Sequence, residues 1–133
     1  MLLYDNDSGA KPIRSAVKEA RGNQLSGKED FALVTKNLYV IATPLLNNEA
    51  ESKIEDFFDK SIKKSIVDGK TFNDSNNYKS DHHYGKKIFA HRVIRPNADS
   101  IDFTGFHPLL TNLVAAMNFH YSSIAANLAQ QQI

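Results

Sequence analysis

Met1-Leu2-Leu3-Tyr4-Asp5-Asn6-Asp7-Ser8-Gly9 is the stretch that decides how this 133-residue chain is read. Four apolar residues run into two aspartates spaced i, i+2 and then a glycine, which predicts a buried strand ending in an acidic turn. Alternation along a strand turns Asp5 and Asp7 to the same side. Two carboxylates held that close repel unless a cation lies between them, and Mg²⁺ is bound by one or two carboxylates together with a substrate's phosphate oxygens. The carboxyl ends of parallel strands are also where open α/β sheets place their ligands. The same letters have a plainer reading, because Asp, Asn, Ser and Gly are the ordinary residues of turns. The segment just after Gly9 tips the balance toward function. Pro12 suits a first helical turn, Ile13, Ala16, Val17 and Ala20 repeat on one face, and Gly22-Asn23 supplies a stop. Strand, acidic turn and amphipathic helix form the first half of a βαβ unit.

Downstream, Phe31-Ala32-Leu33-Val34 and Leu38-Tyr39-Val40-Ile41-Ala42 are apolar runs of strand length. They read as a hairpin, or as a lead-in and one buried strand, with the second run the candidate parallel neighbour of the opening strand. Thr43-Pro44 closes it, since proline cannot donate to a ladder. Residues 49–59 predict a short helix with Ile54, Phe57 and Phe58 on one side and acids on the other. Glu55 follows a buried strand as Asp5 and Asp7 do, which makes it a candidate third metal ligand, with Asp56 behind it. Acids at a helix amino end are equally at home in solvent. Ile62 and Ile66 predict a further helical turn ending near Gly69, and Gly69-Lys70-Thr71 lacks the first glycine and the strand of a phosphate loop. Asn73 to Asp81 reads as a surface loop. His82 and His83, adjacent in sequence, are poorly placed to share a metal. From Tyr84 a helix is expected, with Ile88, Phe89 and Val93 apolar, ending before Pro96. The expected fold is a single α/β domain with a small, mainly parallel sheet and flanking helices: a βαβ-like core over residues 1–59 and a mainly helical part over 60–133.

No cysteine is present, which excludes a disulfide framework, a thiolate metal site and a cysteine nucleophile. The start is acidic and lacks the basic flank and apolar core of a signal peptide, and no run is long and apolar enough to span a membrane. These features fit a cytoplasmic protein that does not enter a membrane. The net charge of +1 conceals an asymmetry: residues 1–59 hold seven Lys/Arg against ten Asp/Glu, whereas residues 60–95 hold nine against three. A basic middle beside an acidic edge suits a nucleic-acid backbone, although a solvated charged face reads the same way.

From Phe103 to Ile133 there is no Asp, Glu, Lys or Arg. Asp102 or Thr104 is placed to cap a helix with Pro108 in its first turn, and Leu110, Leu113, Met117, Tyr121, Ile124 and Leu128 step by threes and fours along one stripe. A helix of that length should show a charged, wet face. This one offers Asn, Ser, Ala and His, too polar for a lipid span. It is expected to pack on its own domain and to meet another surface with its far side or its end, either a second copy, giving a homodimer, or another body of a larger protein.

The run Leu2 to Gly9 resembles the D-x-D motif of TOPRIM domains, the metal-dependent fold of topoisomerases, primases and overcoming-lysogenization-defect nucleases. Five landmarks in order, Asp5-Asn6-Asp7-Ser8-Gly9, Asn37-Leu38-Tyr39-Val40, Ile54-Glu55-Asp56-Phe57-Phe58, Tyr84-Gly85-Lys86 and Asp102-Phe103-Thr104-Gly105-Phe106, resemble the C-terminal TOPRIM-like domain of some retron-type reverse transcriptases. The resemblance spans roughly residues 1 to 115. It implies Mg²⁺ or Mn²⁺ on Asp5 and Asp7, and a family glutamate two βα steps upstream, so that these residues would be a C-terminal fragment truncated at its amino end. It also implies a DNA or RNA partner, and as parent an RNA-directed DNA polymerase whose polymerase body would contact this domain. Lys86, with Ala90 four residues on, resembles a lysine of the overcoming-lysogenization-defect nucleases thought to neutralise charge at the scissile phosphate; a lysine on a wet helix face is the alternative. The Tyr/Phe-x-Asp-Asp motif of a polymerase is absent, so residues 1–133 are expected not to copy RNA and, lacking the glutamate, to be inactive or nearly so as an isolated nuclease. Two further readings stand beside this one. A haloacid-dehalogenase-like phosphatase also begins with an apolar strand and D-x-D, although no later Gly-Asp with a second spaced aspartate closes its metal site here. A non-catalytic module that recruits nucleic acid or protein would use the basic middle and the uncharged last helix.

Overall fold

The computed structural model describes residues 1–75 and 77–130. In chain order its elements are β1 (Leu2–Tyr4), α1 (Lys11–Arg21), β2 (Ala32–Thr35), β3 (Leu38–Ala42), α2 (Lys60–Lys63), β4 (Ile66–Val67), β5 (Lys70–Phe72), β6 (His83–Tyr84), α3 (Lys86–Ile88) and α4 (His107–Gln130). They fall into two compact units, Met1–Ile54 with His107–Ile133, and Glu55–Phe106.

In the first unit the strand order is β1-β3-β2. β1 runs parallel to β3, with Leu2 opposite Val40 and Tyr4 opposite Ala42. β2 runs antiparallel to β3, because only two residues, Lys36 and Asn37, join them and a parallel pair needs a crossover of a dozen or more. The sheet is therefore mixed, not mainly parallel. As an edge strand β1 buries only Tyr4, and Leu2 and Leu3 stay exposed. Between β1 and α1, Asp7 caps a 3-10 turn over Ser8–Ala10. Pro12 sits in the first turn of α1 and Gly22 caps its end through an N–H to Lys18 O. Val17 is buried and Ile13 packs beside it on Tyr4, Ala10, Leu25, Ala32, Val40 and Ala42, whereas Ala16 and Ala20 are exposed.

α4 begins after Asp102, which accepts from Thr104 N at 2.8 Å. Its buried residues are Leu109 and Ala116, with Leu113 and His120 half-buried, and Tyr39 Oη lies 3.2 Å from His120 Nδ1. Leu110, Met117, Tyr121 and Ile124, expected on the packed stripe, are exposed. The packed face is offset from them by one residue, about 100° around a helix. The Leu128 side chain lies outside the described residues.

The second unit holds a sheet in the order β4-β5-β6, antiparallel between β4 and β5 and parallel between β5 and β6. Residues 60–133 thus hold this small sheet beside their helical segments. The expected helix end at Gly69 is a hairpin turn: Asp68 and Gly69 have φ of 53° and 74°, the paired left-handed conformation that Asp-Gly adopts between hairpin strands. Tyr84 belongs to β6 and is buried. The helical segment starts at Lys86 and continues as a π turn over Phe89–Ile94 and a 3-10 turn over Arg95–Asn97. Residues 49–59 form no continuous helix, only a 3-10 turn over Ile54–Phe57.

Tyr84, Phe89 and Val93 make the core of this unit, with Phe58, Ile62, Val67, Phe72 and Ile94 packed on it. Phe72 stacks on Phe89 with centroids 4.5 Å apart, and Phe58 meets Phe106 edge-on at 4.8 Å. A Cβ on Gly105 would lie 2.2 Å from Phe57 O. Because the obstructing atom is backbone, a side chain there has to displace the turn. Gly105→Ala is expected to destabilise the chain by about 1–3 kcal/mol, checked by urea unfolding; a loss under about 0.5 kcal/mol would mean that the turn yields freely.

Candidate functional site

The acidic turn is built on a buried asparagine. Asp7 has an extended backbone (φ −131°, ψ −174°), and Asn6, bridged to Ser52, is 3% exposed. Asn6 N donates to Thr43 Oγ1 at 2.9 Å and to Ser52 O at 2.8 Å, while Ser52 N donates back to Asn6 O at 3.0 Å. Asn6 Nδ2 donates to Gly27 O at 2.7 Å and Thr43 O at 3.2 Å. An Arg14 guanidinium N–H donates to Asn6 Oδ1. Thr43 Oγ1 donates to Ser52 O, and Ser52 Oγ to Thr43 O, both at 2.8 Å. Buried polar groups need such partners, and here one residue gathers the ends of β1 and β3, the 26–30 loop and α1 through its side chain, and the bridge at Ser52 through its backbone.

Gly27 has a φ of 82°, and a Cβ there would lie 2.8 Å from Asn6 Oδ1. Its loop is held by Glu29, whose carboxylate accepts from Ser26 N at 2.8 Å, Ser26 Oγ at 2.9 Å and Gly27 N at 2.9 Å. Burial pushes the Glu29 carboxyl up, but the hydrogen bonds from Ser26 and Gly27 outweigh it and leave the group below its ordinary value. Alongside lies a cavity of about 550 Å³ lined by Lys28, Glu29, Asp30, Pro44, Asn48 and Glu49 among others. Neither Asp5 nor Asp7 lines it.

Asp5 and Asp7 are half-buried. Asp5 Oδ1 accepts from Ile54 N at 2.9 Å and Asp7 Oδ1 from Gly9 N at 2.9 Å. Among the described residues no group of three or more His, Cys, Asp and Glu is placed to hold a metal ion. Glu55 and Lys86 belong to the second unit and meet there: Lys86 Nζ lies 2.8 Å from Glu55 Oε2, with side chains 40% and 7% exposed. The four sequence candidates thus form one pair in each unit. Asp56 pairs with Lys63 at 2.7 Å and Asp68 with Arg92, so part of the basic middle is met by acids. His83 is half-buried, its Nδ1 accepting from Lys79 N at 2.9 Å.

Asn6, Thr43, Ser52, Gly27 and Arg14 were not singled out by the sequence. Alternation marks Asn6 as inward-facing once Asp5 and Asp7 are read as outward; Ser52 carries no local signal. No protein-family model matches the chain, and no solved structure matches it. The functional reading therefore rests on the chain's own residues.

Two sets of substitutions probe these contacts through stability. Asn6→Ala removes several buried hydrogen bonds, one of them to a charged group, and is expected to cost about 3 kcal/mol, against about 1 kcal/mol for Asp7→Ala, which loses a cap. Equal losses in urea unfolding would contradict the central place given to Asn6. Lys86→Met leaves the Glu55 carboxylate buried beside a methyl group and is expected to cost about 1–3 kcal/mol, less than in a fully buried pair because Lys86 is partly exposed. Adding Glu55→Gln should restore part of that loss, and a double variant no better than the single would show that the two charges are not coupled.

Proposed function

We propose that the chain is a TOPRIM-like domain of the retron-type reverse transcriptase kind, acting in divalent-metal-dependent phosphodiester chemistry on DNA or RNA. The observation that supports this reading lies at the end of β1: Asn6 is fastened inside, while Asp5 and Asp7 on either side of it stay half-exposed at the carboxyl end of a strand in a parallel pair. Two carboxylates fit the mode in which Mg²⁺ or Mn²⁺ takes one or two protein carboxylates and completes its shell with water and phosphate oxygens. Asp5 and Asp7 would hold the ion, which when bound supplies Lewis-acid stabilisation of phosphoryl charge. A further glutamate would come from outside these 133 residues, and the parent would be a cytoplasmic RNA-directed DNA polymerase whose body is a partner of this domain. Glu55 is a ligand in this proposal only if it exchanges Lys86 for the ion. Lys86 is the cation proposed for the scissile phosphate.

A second reading, a non-catalytic module for nucleic acid or protein, is favoured by one specific observation. Each carboxylate of the acidic turn already accepts a backbone N–H, the ordinary work of acids in turns.

Titration with Mg²⁺ and Mn²⁺, followed through the amide signals of residues 5–9, separates the two. Saturable shifts confined to that turn and abolished by Asp7→Asn are the expected result. If a folded chain gives no response up to the high-millimolar range, and still none with the upstream segment of its parent restored, the metal reading fails and the turn is structural.

A further inference from the structure

We propose that the outward stripe of α4 is the seam of a homodimer, in which two copies of this chain pair their last helices. The 24-residue helix is about 36 Å long and carries two apolar stripes. One, through Leu109, Leu113, Ala116 and His120, is turned toward its own unit. The other runs through Leu110, Val114, Met117, Tyr121 and Ile124, which are 54%, 53%, 44%, 66% and 42% exposed. Its steps are four, three, four and three residues, the 3.5-residue period of a coiled-coil seam, in which apolar knobs enter holes on a facing helix. Packing on its own sheet accounts for the first stripe; of the second, only Met117 and Tyr121 border a pocket with Met1, Asn37 and Tyr39 of the same unit, and all five stay exposed.

The charge pattern fits a second copy of the same helix. Partner choice in coiled coils is set by charges flanking the seam. Here the flanks include Thr111, Asn118 and Ala125, and no Asp, Glu, Lys or Arg occurs from Phe103 to Ile133. Two identical helices therefore meet without like-charge repulsion, and nothing on the flanks selects a different, charged partner. Membrane is a poor occupant: among the described residues no helix is long and apolar enough to cross one, and a helix lying on a lipid surface carries Lys and Arg on its polar face. The five side chains present about 500 Å² of surface, at the upper end of what monomers leave bare. Paired across a twofold axis they and their neighbours bury upward of about 1,000 Å², where specific interfaces begin. Pairing through α4 is independent of metal binding at Asp5 and Asp7.

Sedimentation velocity of the whole chain at about 1 to 100 µM should show a concentration-dependent species of twice 14.9 kDa, and Met117→Glu should weaken association at least tenfold while circular dichroism is unchanged. The chain has no cysteine, so the single variants Leu110→Cys, Met117→Cys and Ile124→Cys report the seam directly, and at least one should form a disulfide-linked dimer under mild oxidation while Lys18→Cys on α1 does not. If Met117→Glu fails to fold, these milder variants decide alone. A chain that remains monomeric at the highest concentration overturns the proposal and leaves the stripe to a different protein surface. A dimer that cross-links at none of the three positions overturns it equally, by placing the interface elsewhere.

Discussion

The carboxamide of Asn6 has to find partners inside the protein, and the first unit is arranged around that requirement. An unpaired buried amide costs on the order of 1–3 kcal/mol, enough to matter in a chain of this size. Its donors and acceptors are met by Thr43 at the end of β3, Gly27 in the loop and Arg14 on α1, while its backbone pairs with Ser52. Each contact ties a different segment to the end of β1, a strand of three residues with a single neighbour that could not hold its position by ladder bonds alone. Gly27 shows how tight the arrangement is, since a Cβ there would collide with the side chain its carbonyl serves.

The second unit depends on a different constraint, the close approach of two aromatic turns. Gly105 lets its turn rest against the Phe57 carbonyl, and the rings of Phe57, Phe58, Phe103 and Phe106 then meet at 4.8–5.8 Å. Such ring pairs add about 0.5–1.5 kcal/mol each beyond the area they bury, which helps a unit whose strands are only two or three residues long. Glu55, one turn ahead of Phe58, meets Lys86 at the start of α3. Three of the five sequence landmarks, residues 54–58, 84–86 and 102–106, thus meet in this unit through Glu55, Lys86 and the phenylalanines.

What could be read from the sequence was local. The β1 strand, the turn after it, Pro12 at the start of α1, Gly22 at its end and β3 all derive from neighbouring residues. Asp68-Gly69 was legible too, as a hairpin signal, but Ile62 and Ile66 drew it into a helix because two apolar residues four apart satisfy the helical period by chance. Nothing local could place Ser52 beside Asn6 or Glu55 beside Lys86, since those pairings are set by how distant segments fold back. For α4 the step was legible and the side was not. An uncharged helix offers apolar residues on adjacent faces, and only the packing against β3 decides which is inward.

The same physics bears on what the two aspartates are for. Two carboxylates separated by the rise of two strand residues, about 7 Å, would repel by about 0.6 kcal/mol in water-like surroundings and about 2 kcal/mol at an effective dielectric constant of 20. A hydrogen bond to a charged acceptor returns about 1.5–3 kcal/mol, and each carboxylate has one from the backbone. Such a repulsion is therefore offset without a cation. A metal ion would thus not be needed to hold the turn, and its binding would be a separate event from the folding of the turn.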